Sequence, residues 1–411
     1  MWLTNARYLG EDGGFAAGDI EIVDGRIGRI VPAGSQPSDV DCTDLVVLPG
    51  LVNGHFHSQS TLLRGLEFGL DLHDWFDDSP RGRAQHRIGD WLDDEANAAD
   101  VAAVARYEYL TLLRQGVTMV ADSGLGDQSP HLLLEAGTAV GIRAVPQAYD
   151  DWIERVADPS AYTVHIESEE DLTAEVVAAA ERYRDRYQPV FGLHCLETVR
   201  RRELVTERWG ASTVAVLAEH GLLTPRTVLF HGCEMDADDI ALVAAAGAAV
   251  MYCPVSNLAL HGRIPPAIEW RRAGVTVGLG TDWGDTDMWG TLRTAWLLQQ
   301  RDPDRAQRAA PVEVLRAASR GGALGYGRAD AGEIAPDRVA DLVLVDAGRL
   351  GPYHREPDTL AAAVLTDGGA ATVRHVLVGG EWVLTDGAPT RVDADAVTAE
   401  YHRIAARLTA H

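Results

Sequence analysis

Leu48-Pro49-Gly50-Leu51-Val52-Asn53-Gly54-His55-Phe56-His57 governs how the rest of the chain is read. Leu45-Val46-Val47-Leu48 is a short apolar, β-branched run bounded by Pro49 and Gly50, and Leu51-Val52 resumes it. This predicts a buried strand that ends at His55 and His57. Strand side chains alternate faces, so two histidines two positions apart point the same way, as two imidazoles must to grip one metal ion. A bare His-x-His is equally a pair of surface histidines beside a turn. What separates the two readings is that further polar residues recur at the ends of later apolar runs.

Downstream, strand-like runs fall at 117–121, 142–145, 162–165, 190–194, 227–231, 248–253 and 275–280. Helical patterns occupy 98–115, 130–139, 170–186, 212–219, 236–246 and 265–273, between most of these runs. With the strand at His55 this makes eight βα units, the repeat of a closed (β/α)8 TIM-type barrel, whose active sites lie at the C-terminal ends of the strands. The chain ends read differently. Residues 19–31, broken by Asp24-Gly25, carry hairpin chemistry, and the same style returns at 340–346 and 373–384 around Gly379-Gly380. Short strands cannot bury their faces alone, so the two ends are expected to pair. The expected architecture is α/β, with the barrel over 49–335 and a small composite β-sandwich domain from 1–48 plus 336–411.

Composition narrows the function. The 411 residues are 46% hydrophobic and 24% charged, an ordinary globular balance. A net charge of -25 repels polyanions, which argues against nucleic acid and anionic membrane as partners. All 36 basic residues are arginine. The lack of lysine excludes Schiff-base chemistry on lysine, a phosphate-loop lysine and a metal pair bridged by a carboxylated lysine. Cys42, Cys195, Cys233 and Cys253 are too few and too scattered for a disulfide framework and read as reduced core thiols. The N-terminus has no signal-peptide pattern, and the uncharged run 240–256 is interrupted by Gly247 and Pro254. A cytoplasmic enzyme acting on a small molecule, assembled as a dimer or larger homo-oligomer, is the expectation.

His194 closes the fifth strand, His231 the sixth, and Asp282 follows the eighth in Leu279-Gly280-Thr281-Asp282. Imidazoles with one carboxylate suit Zn²⁺ or Fe²⁺, and a set that leaves a coordination position open marks a catalytic site. The plainer readings are a core histidine for His194 and a helix cap for Asp282. Glu197, three residues beyond His194, stands where the strand gives way to a loop and within reach of a metal-held water, as a general acid/base requires; it is otherwise a helix cap or a surface glutamate.

Together these motifs resemble the amidohydrolase superfamily, in its branch of cytosine deaminase-like and chlorohydrolase-like proteins that includes S-adenosylhomocysteine deaminases, guanine deaminases and triazine hydrolases. The resemblance covers nearly the whole chain. It runs through Leu48-Pro49-Gly50, His55-Phe56-His57, Thr61-Leu62-Leu63-Arg64-Gly65, Gly116-Val117-Thr118, His194-Cys195-Leu196-Glu197-Thr198, Cys253-Pro254-Val255-Ser256-Asn257-Leu258 and Gly278-Leu279-Gly280-Thr281-Asp282, and closes with Ala340-Asp341-Leu342-Val343. It implies that His55, His57, His194 and Asp282 bind one divalent metal, that Asp282 takes a proton from its water, that Glu197 protonates a ring nitrogen, and that His231 hydrogen-bonds the attacking oxygen or stabilises the developing charge. Zinc is the first expectation and iron the second, since neutral imidazole serves both and raw affinity favours zinc. Gln147 matches a pyrimidine-edge position of cytosine deaminases, and His165 a substrate-contact histidine of adenosine-type deaminases; each is equally read as a residue with no ligand role. After Asp282 the chain departs from the nucleoside-deaminase pattern with Trp283-Gly284-Asp285-Thr286-Asp287-Met288-Trp289. Trp283 either narrows the pocket or packs into the barrel wall. With the short segment between Gln147 and Tyr162, it favours a smaller planar or acyclic substrate over an adenine nucleoside.

The expected activity is that of a metal-dependent aminohydrolase releasing ammonia from an aminated heterocycle or related amidine. The alternatives are a cyclic amide or imide hydrolase and a triazine-type dechlorinase or N-dealkylase on the same barrel.

Overall fold

Pro49 and Gly50 divide the opening apolar run between two sheets. Leu45–Pro49 pairs antiparallel with Leu342–Asp346, whereas Leu51–His57 begins a parallel sheet. The run reads as one strand because both halves are buried. It breaks at residue 50 because a Cβ there would stand 2.1 Å from the Thr118 hydroxyl, so only glycine lets the chain pass from one sheet to the other. The computed structural model describes the whole chain except residues 68, 76–77, 125–129, 149–151, 157, 167, 262, 352–356 and 410–411. Part of the segment between Gln147 and Tyr162 therefore lies outside the described residues.

The parallel sheet contains Leu51–His57, Val117–Asp122, Arg143–Ala148, Thr163–Ile166, Val190–Cys195, Thr227–His231, Ala249–Tyr252 and Thr276–Leu279 in sequential order. Three residues after the end of the last of these, Asp282–Trp283 pairs with Phe56 and His57 of the first strand and closes the ring. Closure needs Gly280, where a Cβ would lie 2.8 Å from that of His55. Helices stand between the strands, and their starts are written locally. Thr173, Thr198, Ser212 and Asp236 each accept a backbone N–H of the first helical turn, as good N-caps do. This is the expected TIM-type barrel. Val52, Met119, Ala121, Val228, Phe230, Ala249 and Met251 fill part of its interior, with Ala323 and Tyr326 among them. The Tyr326 hydroxyl donates to the Gly54 carbonyl at 2.6 Å, so chemistry is left to the rim at the C-terminal ends of the strands.

The two chain ends form a single mixed sheet beside the barrel. Arg143 of the third barrel strand ties the two together, presenting Nε and Nη2 to the Asp341 carboxylate at 3.0 and 3.2 Å. The end of the chain, expected to be β-rich, instead finishes in a helix, Ala394–Thr409. Tyr401 and Ile404 are buried at helical spacing, and Tyr401 stacks on Tyr107 of the helix Ala98–Leu113 with ring centres 3.9 Å apart. Residues 60–97, irregular by sequence, supply the turns Ser60–Leu63 and Leu72–Trp75 and the helix Pro80–Asp93. Among the described residues the four cysteines are buried and unpaired, and no helix is long and apolar enough to cross a membrane.

Candidate active site

His55 and His57 leave the first strand on one face, His194 leaves the fifth, and Asp282 begins the closing pair. One ligating atom from each of the four lies within 4.8 Å of the others. Asp282 Oδ1 is 3.0 Å from His55 Nε2 and 3.3 Å from His57 Nε2. The far nitrogen of His57, Nδ1, lies 2.9 Å from the Gly124 carbonyl and donates to it, which leaves Nε2 as a lone pair turned toward the carboxylate. His55 Nε2 is buried and approaches Asp282 without hydrogen-bond geometry. Lone pairs converging on a carboxylate oxygen are what a divalent cation relieves, so the donor set fits one.

Protonation supports this fit. Burial lowers His55 to about 4 and holds His194 well below the ordinary imidazole value, with His55 and His165 adding to the effect on His194. Both are thus neutral, the form that ligates. Burial also opposes charge on His57, but Asp282 and the Gly124 carbonyl outweigh it and raise that imidazole. Asp282 itself, despite burial, is held well below its ordinary value by His231 and the His55 and His57 contacts. Its backbone is left-handed at φ 63°, and the Ser256 hydroxyl donates to its second oxygen.

Around this cluster the remaining polar groups are individually fixed. His231 Nδ1 lies 2.8 Å from Asn257 Oδ1 and donates to it, leaving Nε2 to face Glu197 Oε1 at 3.7 Å. Arg201, four residues on and buried, donates to Glu197 Oε2 and also pairs with Glu170 at 3.0 Å. Burial opposes the Arg201 charge, yet Glu197 and Glu170 hold its pKa above the ordinary value. The turn that carries Glu197 passes through Leu196 at φ 50°, and Glu169 takes the Leu196 N–H. Glu197 and Asp282 therefore stand in two separate hydrogen-bond environments.

Trp283 tilts against His57 with ring centres 5.6 Å apart, and His165 meets His194 edge-on at 5.3 Å. Gln147 sits a layer deeper. A Cβ at Gly192, two residues before His194, would meet Gln147 Nε2 at 3.2 Å and His165 Nδ1 at 3.3 Å.

Residues 46–383 match the model of the amidohydrolase family. The chain belongs to that family. It is 32% identical to a 5-methylthioadenosine/S-adenosylhomocysteine deaminase of Natronomonas pharaonis, over 94% of this chain and 93% of the relative. It is 30% identical to an 8-oxoguanine deaminase of Pseudomonas aeruginosa, over 100% of this chain and 99% of the relative. Among solved structures, an adenosine deaminase from Xanthomonas campestris with bound zinc superposes with a TM-score of 0.87 at 24% identity, covering 100% of this chain and 98% of that one. Atrazine chlorohydrolase from Arthrobacter aurescens, complexed with zinc, gives 0.86 at 21%, covering 98% and 99%.

In this amidohydrolase, sequence reasoning passed over the residues that hold the site residues in place. Ser256 and Asn257 stand in the sequence only as letters of the Cys253–Leu258 motif, although the first bonds Asp282 and the second His231. Arg201 carried a usable signal, its i,i+4 spacing from Glu197 at a helix start. Asp122 gave none. Its carboxylate takes the N–H groups of Ser58 and Gly124 at 2.9 and 2.8 Å and so fixes the carbonyl that orients His57. Asn257→Leu is expected to release the His231 tautomer and lower kcat by about tenfold to a hundredfold at unchanged metal content. Unchanged turnover in that variant would show that the tautomer is set elsewhere.

Glu108 lies behind the same loop, accepting from Gln59 N at 2.7 Å and from the Thr61 hydroxyl. Burial raises its pKa from 4.5 to about 8. A carboxyl raised on folding contributes stability that is present below its unfolded pKa and is lost as pH rises through the folded one. The wild type is therefore expected to lose stability progressively from 4.5 to about 8, whereas Glu108→Gln loses less over that window. Thermal midpoints of both proteins across that range check this, and parallel curves would contradict it.

Proposed function

We propose that this amidohydrolase is a metal-dependent aminohydrolase that releases ammonia from an aminated heterocycle or related amidine. His55, His57, His194 and Asp282 would hold the cation, and zinc is the ion proposed, with iron second. When bound there, it supplies Lewis-acid activation of a water at neutral pH. Asp282, kept ionised by its surroundings, accepts the proton that this water gives up. Glu197 delivers a proton to the ring nitrogen next to the attacked carbon, and His231 Nε2 faces the oxygen that adds there. The carbon–oxygen bond forms as the C=N π bond opens; Asp282 then passes its proton to the amino group, which leaves as ammonia when the C–N bond breaks, and the hydroxyl proton of the adduct returns to Glu197 as the carbonyl forms. Trp283 and His165, and Gln147 from the layer beneath, are the proposed substrate contacts.

The observation that carries this reading is the separation of the two carboxylates. Asp282 adjoins the imidazole cluster, while Glu197 lies outside it with Arg201 on one oxygen and His231 near the other. A simple amide has less use for a second carboxylate that can protonate nitrogen, whereas an N=C–NH2 unit becomes electrophilic through it. The names of the two deaminase relatives point the same way. A panel of aminopyrimidines, aminopurines, aminotriazines and pterins, read by coupled ammonia detection, tests it. Silence across the panel together with ring opening of a lactam or cyclic imide, or halide release from a chlorotriazine, would replace this reading.

A further inference from the structure

Beside Trp283, the indole that adjoins His57, lies a buried cation with two of its three nitrogens unpaired. Arg81, in the first turn of the helix Pro80–Asp93, is 0% exposed. Its guanidinium carbon lies 3.6 Å from the ring centre of Trp75 and 4.2 Å from that of Trp283, the indole that also adjoins His57. Nη1 donates to the Gln85 side chain and reaches the Trp75 carbonyl at 3.5 Å. Nε and Nη2 are buried and have no hydrogen-bond partner. Among the described residues no carboxylate lies within ion-pair distance of Arg81, and Glu67 acts on it only as a more distant charge. The turn before it, Leu72–Trp75, lies near the same groups: His73 is in the field of Arg201 and Glu197, and Trp75 packs with Leu72, Leu260 and Trp283.

Resting on the deaminase reading above, we propose that the substrate carries a carboxylate on its ring, and that Arg81 receives it in two parallel hydrogen bonds across the Nε–Nη2 edge. The free edge has the right shape. Elsewhere in this protein Arg143 fills the same two nitrogens with the Asp341 carboxylate at 3.0 and 3.2 Å. The Trp75 and Trp283 rings, with centres 5.0 Å apart, wall adjacent sides of the Arg81 guanidinium and leave Nε and Nη2 as its unpaired donors, next to the indole that adjoins His57. An unpaired buried charge is costly, and burial alone pulls the Arg81 pKa down to about 9. An anion on Nε and Nη2 relieves this cost, while a neutral carbonyl does so only partly. The same two indoles give a planar ring a surface to lie against. Arg81 thus selects for charge on the substrate, away from the carbon that reacts.

Calorimetry on the metal-loaded protein tests this with matched heteroaromatic acids and their carboxamides, nicotinate against nicotinamide and pyrimidine-5-carboxylate against its amide. None of the four carries an amino group on the ring. The wild type is expected to bind each acid roughly 10²-fold more tightly than its amide, the worth of a charge-assisted fork. In Arg81→Met this ratio is expected to collapse toward one. Arg81→Lys keeps the positive charge but lacks the fork, and it too should lose most of the ratio, so this variant decides the matter if the methionine variant does not fold. Equal affinity for acid and amide in the wild type overturns the proposal. So does an acid preference that survives in the variants, because the cation itself would then be holding the carboxylate. Ammonia release from the amino-substituted acid and amide is measured in parallel. Silence from both defeats the deaminase reading while leaving the binding ratio to stand or fall separately.

Discussion

Glu197→Gln is expected to lower kcat by roughly two to four orders of magnitude, the usual worth of a positioned general acid/base, with bound metal and secondary structure unchanged. The side chain is 3% exposed, and one of its oxygens is committed to Arg201, so the glutamine keeps the volume and one acceptor but cannot shuttle a proton. Glu170 remains beside Arg201 and keeps that buried guanidinium from being stranded. Arg201 is a positioning residue, acting through Glu197. Its removal in Arg201→Met is expected to displace the pH profile of kcat upward, because a cation that favours the ionised carboxylate is lost. Near wild-type turnover in Glu197→Gln, at full metal occupancy, would require a different proton donor.

Removal of the cation is expected to abolish turnover and to lower the thermal midpoint, since a ligand bound only by the folded chain stabilises it by about 4 kcal/mol at a thousandfold excess over its Kd. His194→Ala should reproduce both effects without a chelator, because His194 is the proposed ligand contributed by the strand opposite the His55–His57 pair. Asp282→Asn should be at least as damaging. It weakens a ligand and removes the proposed proton acceptor in one step, and it leaves Ser256 donating to an amide. Elemental analysis settles the stoichiometry. One ion per chain is expected, and two ions per chain, or full activity after exhaustive chelation with restored activity independent of added metal, would require a different site.

Much of the site was legible because barrel chemistry is written at strand ends. His55-Phe56-His57, His194 and Asp282 each terminate an apolar run of strand length, and eight such runs at βα spacing leave one topology that brings them to a common rim. The C-terminal helix was legible in principle, from Tyr401 and Ile404 at helical spacing, but was lost among the hairpins that precede it. The supports of the site were not legible. Ser256 to Asp282, Asn257 to His231 and Asp122 to Gly124 are contacts whose partners are set by register and loop path, and no local pattern announces them.

The sequence by itself determined the alternation of strands and helices, the pairing of the two β-rich ends, and the placing of His55, His57, His194, His231 and Asp282 at strand ends, because each follows from periodicity, turn chemistry and the fixed polarity of a closed parallel barrel, while the choice of four of these five as one cluster was implied by the resemblance to the amidohydrolases. Only the tertiary structure decided that the opening run serves two sheets, that Arg201 clamps Glu197, and that Arg81 is buried against Trp75 and Trp283 with Nε and Nη2 unpaired. Side-chain contacts between segments depend on packing angle, register and loop path. Arg81 and Trp283 are some two hundred residues apart in the sequence, and nothing local to either one requires that they meet.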